Sequence, residues 1–172
     1  GTNQHKPAGF NFSEHGLKPI RIHIWHDWIF LNFNGKAKKF EEYAKPLIKR
    51  FNDIDLTKLK YVATLDFGKI NTNWKFLIEN FIEPYHVQFV HKTTTNQPLK
   101  DHYTFVDGKC YGSGIDVEKE DAKNGSALSV TSRYLSLFPN FIIGTYYPNQ
   151  VGVYLNIPIS PGVTSQKRII YT

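Results

Sequence analysis

The chain has 172 residues, 41% of them hydrophobic and 15% aromatic, enough for one sizeable core, and a formal net charge of +6. It contains no apolar run of membrane-spanning length and no charged-then-apolar leader, so neither a transmembrane helix nor a signal peptide is indicated and no membrane partner is expected. The single cysteine, Cys110, excludes an internal disulfide and fits a reducing compartment, for which a cytoplasmic location is expected.

Taken in order, the pattern predicts strands over 20–25 and 28–33 joined by a turn at His26-Asp27. His23 and His26 are three apart, but at a strand and a turn they read as cross-strand residues rather than metal ligands. Much of the basic excess follows, in Lys36, Lys38, Lys39, Lys45, Lys49, Arg50, Lys58 and Lys60. Phe40, Tyr43, Ala44, Leu47, Ile48 and Phe51 recur there at helical spacing, which predicts an amphipathic helix interrupted near Pro46 with its lysines in solvent. No zinc-finger or RNP-like pattern accompanies the charge, so nucleic-acid binding has no support.

A strand is expected over 60–67, and then comes the most informative segment, residues 73–91. If 73–86 is helical, Asn73, Asn80, Glu83 and His86 share one face, and Trp74, Leu77, Ile78, Phe81, Ile82 and Tyr85 form an apolar stripe beside it. The polar stripe is therefore expected to face a cavity or cleft. Pro84 lacks the amide hydrogen that would reach the carbonyl of Asn80, so the helix should kink or stop there. His86 and His91 would point to different faces of an unbroken helix, whereas a broken one can converge them on one metal ion. Two imidazoles suit iron, zinc, copper or nickel, and two histidines with one carboxylate form the facial set of non-haem Fe(II) oxygenases. H-x4-H alone is a weak signal; the longer pattern carries the specificity.

Beyond His91 a polar linker runs from Lys92 to Lys100, and the rest of the chain is rich in strand patterns. Residues 116–126, ending in Gly125-Ser126, read as an exposed loop. Pro148-Asn149-Gln150 reads as a hairpin turn before the alternating Val151, Val153, Leu155, Ile157 and Ile159. The order of elements gives an α+β class, an antiparallel sheet with helices on one face.

The pattern N-W-K-x3-E-N-x2-E-x-Y-H-x4-H, spanning Asn73 to His91, resembles the mononuclear-iron motif of the Rieske-type non-haem iron oxygenases, whose large subunits hydroxylate rings or demethylate substrates. Residues 16–33 resemble the strands that close the Rieske domain of that family. Residues 134–159 resemble its catalytic-domain sheet. The resemblance implies that His86 and His91 bind catalytic Fe(II), and that Glu83 orients His86 and bridges to a histidine of a 2Fe–2S Rieske cluster on the neighbouring subunit of a trimer. Asn80 matches a residue bordering the iron pocket; alternatively it accommodates backbone disturbed by Pro84. The implied fold is a helix-grip (START/Bet v 1-like) sheet around a pocket. The implied partners are a ferredoxin or reductase, O2 and a small organic substrate. Docking of an acidic electron donor is the sharper alternative for the lysine-rich stretch.

The family's C-x-H and C-x2-H cluster motif is absent, so this chain cannot hold the Rieske cluster, and no acidic residue after His91, Asp101 and Asp107 included, sits in the context of the third iron ligand. The expectation is a fragment: residues 1–35 the tail of a Rieske-type domain and its connection, residues 36–172 the N-terminal and central part of a catalytic domain without its C-terminal helix. Its lone sheet face should favour self-association. A noncatalytic ligand- or metal-binding helix-grip module is the alternative function.

Overall fold

The computed structural model describes residues 8–91, 93, 99–116, 131–146 and 149–172. The polar linker, the loop around Gly125-Ser126 and Pro148 of the hairpin turn lie largely or wholly outside the described residues. Two compact units are formed, Gly1–Phe40 and Glu41–Thr172.

In the first unit, β1 (Arg21–Trp25) and β2 (Trp28–Asn32) pair antiparallel from Arg21↔Asn32 to Trp25↔Trp28. Their turn is His26-Asp27, with His26 at φ 53°. A two-residue hairpin needs positive φ to match strand twist, and His carries it without the clash a β-branched residue would meet. Side chains alternate across the hairpin. His23 stacks on Phe40 with ring centroids 4.2 Å apart, and Phe30 packs against Phe40 at 4.5 Å, tilted by 45°. His23 is thus a member of an aromatic cluster, in keeping with its cross-strand reading. The same packing makes Phe40 the last residue of this compact unit.

The second unit begins with α1 (Phe40–Tyr43, whose first residue belongs to the hairpin unit) and α2 (Lys45–Lys49). The expected single helix is split because Pro46, in the first turn of α2, has no N–H for the carbonyl of Glu42. Ala44, Leu47 and Phe51 are buried, as the apolar spacing predicts. A seven-stranded sheet follows, in the order β3-β9-β8-β7-β6-β5-β4, every pair antiparallel. Its strands are β3 (Tyr61–Ile70), β4 (His102–Asp107), β5 (Cys110–Ile115), β6 (Ser132–Leu137), β7 (Phe141–Tyr146), β8 (Gln150–Ser160) and β9 (Val163–Tyr171).

β4 to β9 form a meander, and β3 pairs with its far end. Strands β3 and β4, adjacent in sequence, therefore occupy opposite edges, so the segment joining them must cross the sheet. That segment contains α3 (Trp74–Ile82) and α4 (Val87–Val90), and the crossing lays the histidine motif over a sheet face. The register puts Tyr134, Gly144 and Gly152 on the face that α3 covers, where Phe81 meets the rings of Tyr134 and Tyr154 at 5.7 and 4.8 Å. The opposite face carries the fully buried Leu135, Ile143 and Val153.

The fold is thus an antiparallel sheet with few helices, as expected. The helices divide between the faces, however. The segment 44–55 straps the face opposite α3: Arg50 lies 3.5 Å from the centroid of the Phe105 ring, and Arg133 donates both terminal nitrogens to the Asp53 carboxylate at 2.6 Å. A helix broken at Pro46 is short enough to act as such a strap.

Candidate metal centre

Asn73 starts α3: its Oδ1 accepts the Lys75 N–H at 2.9 Å, the usual task of a capping Asn. Its Nδ2 donates to the Pro161 carbonyl at 2.8 Å, tying the helix start to the β8–β9 turn. Ile78 is the buried anchor of the helix. The last helical bond runs from the Glu83 N–H to the Glu79 carbonyl at 3.0 Å, and Glu83 itself is extended (ψ 133°). A residue before proline is driven from the helical region, so Pro84 stops α3 one residue ahead of itself.

The stop turns Glu83 back on the chain that follows. Its Oε2 accepts the His86 N–H at 3.2 Å and its Oε1 engages Nδ1 of the His86 ring. His86 then caps α4, a single turn closed by Val90 N–H to the His86 carbonyl (2.7 Å) and His91 N–H to the Val87 carbonyl (2.9 Å). His91 follows the turn with non-helical torsions, φ −102° and ψ 25°. The two imidazoles end 5.3 Å apart between centroids, inclined at 71°.

The convergence has a different origin from the one the sequence suggests. The proline break precedes His86; it is the one-turn length of α4, with a histidine at each cap, that brings the rings together. The shared polar face also dissolves. Asn73 is occupied as a cap, and Asn80 is exposed on α3, whereas Glu83 and His86 lie beyond the helix and are partly buried. No described element covers Asn80.

A carboxylate on Nδ1 orients the His86 ring and leaves Nε2 as the nitrogen that a metal ion would take. Two neutral imidazoles with one so oriented fit Fe(II) or another borderline divalent metal. Among the described residues no group of three or more His, Cys, Asp or Glu is placed to hold a metal ion. Asp107 lies elsewhere, 3.7 Å from the Arg50 guanidinium. Cys110 is fully buried and unpaired on the face opposite α3, its thiol pushed up to about 11, chiefly by burial.

A second polar group lies on the sheet beneath α3. Arg168 on β9 sits over Tyr146 and Tyr154, its guanidinium carbon 4.8 and 5.4 Å from their centroids, and its Nη2 donates to Gln150 Oε1 at 2.7 Å. The Tyr146 and Tyr154 hydroxyls are 3.3 Å apart, and burial raises Tyr146 far above the ordinary phenol range. Sequence reasoning passed over this group. The available signal was glycine inside two strands, Gly144 and Gly152, which marks close approach to the backbone. A Cβ at Gly152 would meet Arg168 Nε at 2.9 Å, and one at Gly144 would meet the Phe81 ring edge at the same distance.

Residues 54–171, more than half of the chain, match the family model for the ring-hydroxylating alpha subunit catalytic domain. The chain belongs to this family, the catalytic domains of Rieske non-haem iron oxygenases. Among curated relatives, it is 25% identical to the chloroplastic choline monooxygenase of Arabidopsis thaliana, over 88% of this chain and 39% of that protein. It is 31% identical to the large oxygenase component of salicylate 5-hydroxylase from Ralstonia sp, over 52% of this chain and 22% of that one. Among solved structures, the quaternary ammonium Rieske monooxygenase CntA superposes with a TM-score of 0.74 at 16% identity, covering 96% of this chain and 45% of that one. A naphthalene 1,2-dioxygenase with bound indole gives 0.68, with coverages of 96% and 46%. The chain spans less than half the length of these relatives.

Proposed function

We propose that the chain carries part of the mononuclear iron site of a Rieske oxygenase, with His86 and His91 as two protein ligands of Fe(II) and Glu83 as the residue that positions His86. The observation that supports this most strongly is the Glu83 carboxylate on His86 Nδ1, with the His91 ring 5.3 Å from the His86 ring. Bound iron would supply O2 activation, for hydroxylation or oxidative demethylation of a small organic molecule. Glu83 orients the ring so that Nε2 is the nitrogen offered to the metal. Its side chain is 39% exposed, so the carboxylate keeps acceptor capacity on its outer side for a second donor. That donor is proposed to be a histidine of a 2Fe–2S cluster on a neighbouring subunit of a homo-oligomer, the trimer of the family pattern, reduced by a ferredoxin or reductase. Asn80, exposed on α3, is proposed to border the substrate pocket of the intact protein. A cytoplasmic site of action is part of this reading.

The relatives' names divide between quaternary ammonium compounds, as in CntA and glycine betaine monooxygenase, and aromatic acids, as in anthranilate and terephthalate dioxygenases. Either class fits the reading at this level.

Anaerobic Fe(II) with nitric oxide as a spectroscopic probe tests it. An iron-nitrosyl signal is expected from the chain and should vanish in His86→Ala. Glu83→Gln should keep the signal with iron affinity lowered about 10- to 100-fold, the usual effect of losing a partner behind a ligating histidine. Tight zinc binding without any nitrosyl signal would instead favour the noncatalytic ligand- or metal-binding module.

A further inference from the structure

Of the charged groups in the second unit, Arg168 stands apart in what surrounds it. Lys167, next to it, pairs with Asp66 at 3.2 Å, and Arg133 is held by Asp53. Arg168 is half-buried on the face beneath α3, and among the described residues its contacts are two tyrosine rings and the Gln150 amide oxygen. A guanidinium has five N–H donors, and among the described residues one of them meets a protein acceptor. Its Nε is buried and has no hydrogen-bond partner among the described residues. Positive charge brought out of water without a counter-charge is costly, and stacking on phenol rings returns only part of that cost.

The neighbourhood is arranged around this cation. Gly152 leaves room for the guanidinium to lie across β8, since a Cβ there would collide with Nε. Gly144, directly across on β7, makes the same room for Phe81, whose ring touches Tyr154. The guanidinium, its tyrosines and Phe81 of α3 thus share one face of the sheet, and Glu83 follows Phe81 by two residues. Among the described residues no carboxylate pairs with it.

We propose that Arg168 receives the carboxylate of an organic-acid substrate, with the rings of Phe81, Tyr146 and Tyr154 against its apolar body; this substrate class rests on the oxygenase reading of the same site. The planar fork of Arg suits a carboxylate, Gln150 fixes the fork's orientation, and the same positive charge rejects a quaternary ammonium group.

Titration calorimetry of the chain with benzoate, benzamide and benzyltrimethylammonium, without added metal, tests the proposal. Benzoate should bind saturably, benzamide at least about tenfold more weakly, and the cation not at all, as expected for a charge-assisted contact. Arg168→Gln should bring benzoate down to the benzamide level. Should that variant fail to fold, the wild-type ranking still decides. Benzoate binding no better than benzamide, cation binding equal to or above benzoate, absence of saturable benzoate binding, or unchanged benzoate affinity in Arg168→Gln would each overturn it. Benzoate binding should survive His86→Ala. No iron-nitrosyl signal from the wild-type chain, with benzoate binding intact, would remove the oxygenase reading alone, and a wild-type nitrosyl signal without saturable benzoate binding would remove the Arg168 assignment alone.

Discussion

Glu83, Pro84 and His86 show how much one residue decides locally. Proline forces its predecessor into extended backbone, and that conformation swings the Glu83 carboxylate onto the imidazole three residues ahead. On a continuous helix the same pair would be an ordinary i, i+3 contact on the surface. Elsewhere, a hydrogen bond from Arg133 is the main cause holding the Asp53 carboxyl below the ordinary Asp range. The sign follows from linkage: the folded pKa is depressed, so the pair's stabilisation is complete above the unfolded value of about 3.9 and is lost as pH falls through the lower folded value. Asp53→Asn should therefore lower the melting temperature at pH 7, by the equivalent of about 1 kcal/mol or less because Asp53 is largely exposed, and the gap to wild type should close in melts below about pH 4. A gap that persists unchanged at low pH would mean that the loss is one of packing.

At the scale of elements, the motif helix depends on its first residue more than on its propensity. Asn73 both caps α3 and anchors it to the β8–β9 turn, so Asn73→Ala should cost roughly 1–2 kcal/mol in denaturant unfolding. Asn73→Asp retains the cap acceptor but has no N–H for the Pro161 carbonyl, and its loss should be smaller than that of Ala. Equal losses in the two variants would place the whole effect in the tie to the turn. The strap over residues 44–55 works by a different rule. Its lysines stay in solvent while Leu47 and Phe51 are buried, and Arg50 spans both roles by packing its guanidinium on Phe105.

For the molecule as a whole, the consequence is unprotected apolar surface. Ile22, Ile24, Ile29 and Leu31 form a cross-strand ladder on one side of the β1–β2 hairpin, each between 52% and 65% exposed, and Leu155, Ile157 and Ile159 are also exposed along β8. Contiguous ladders of this kind drive association. Sedimentation of the chain should show concentration-dependent self-association, and Ile24→Lys with Ile29→Lys, which face each other across the hairpin, should shift it toward monomer. A monomer whose unfolding is sharp and independent of concentration would show that the ladder is harmless.

How much of this was legible beforehand depended on whether the cause was local. The hairpin turn at His26-Asp27, the break at Pro46 and the stop before Pro84 follow from backbone chemistry acting over a few residues, and the sequence by itself determined them. The exposed position of Asn80 did not follow, because a helical pattern shows which residues share a face but not what lies opposite. Nor did the grouping of Arg168 with Tyr146, Tyr154 and Gln150, which come from three strands. Only the register of β7, β8 and β9, and the crossing that brings Phe81 over Gly144, decided that these side chains meet, since strand pairing joins residues that no local rule connects.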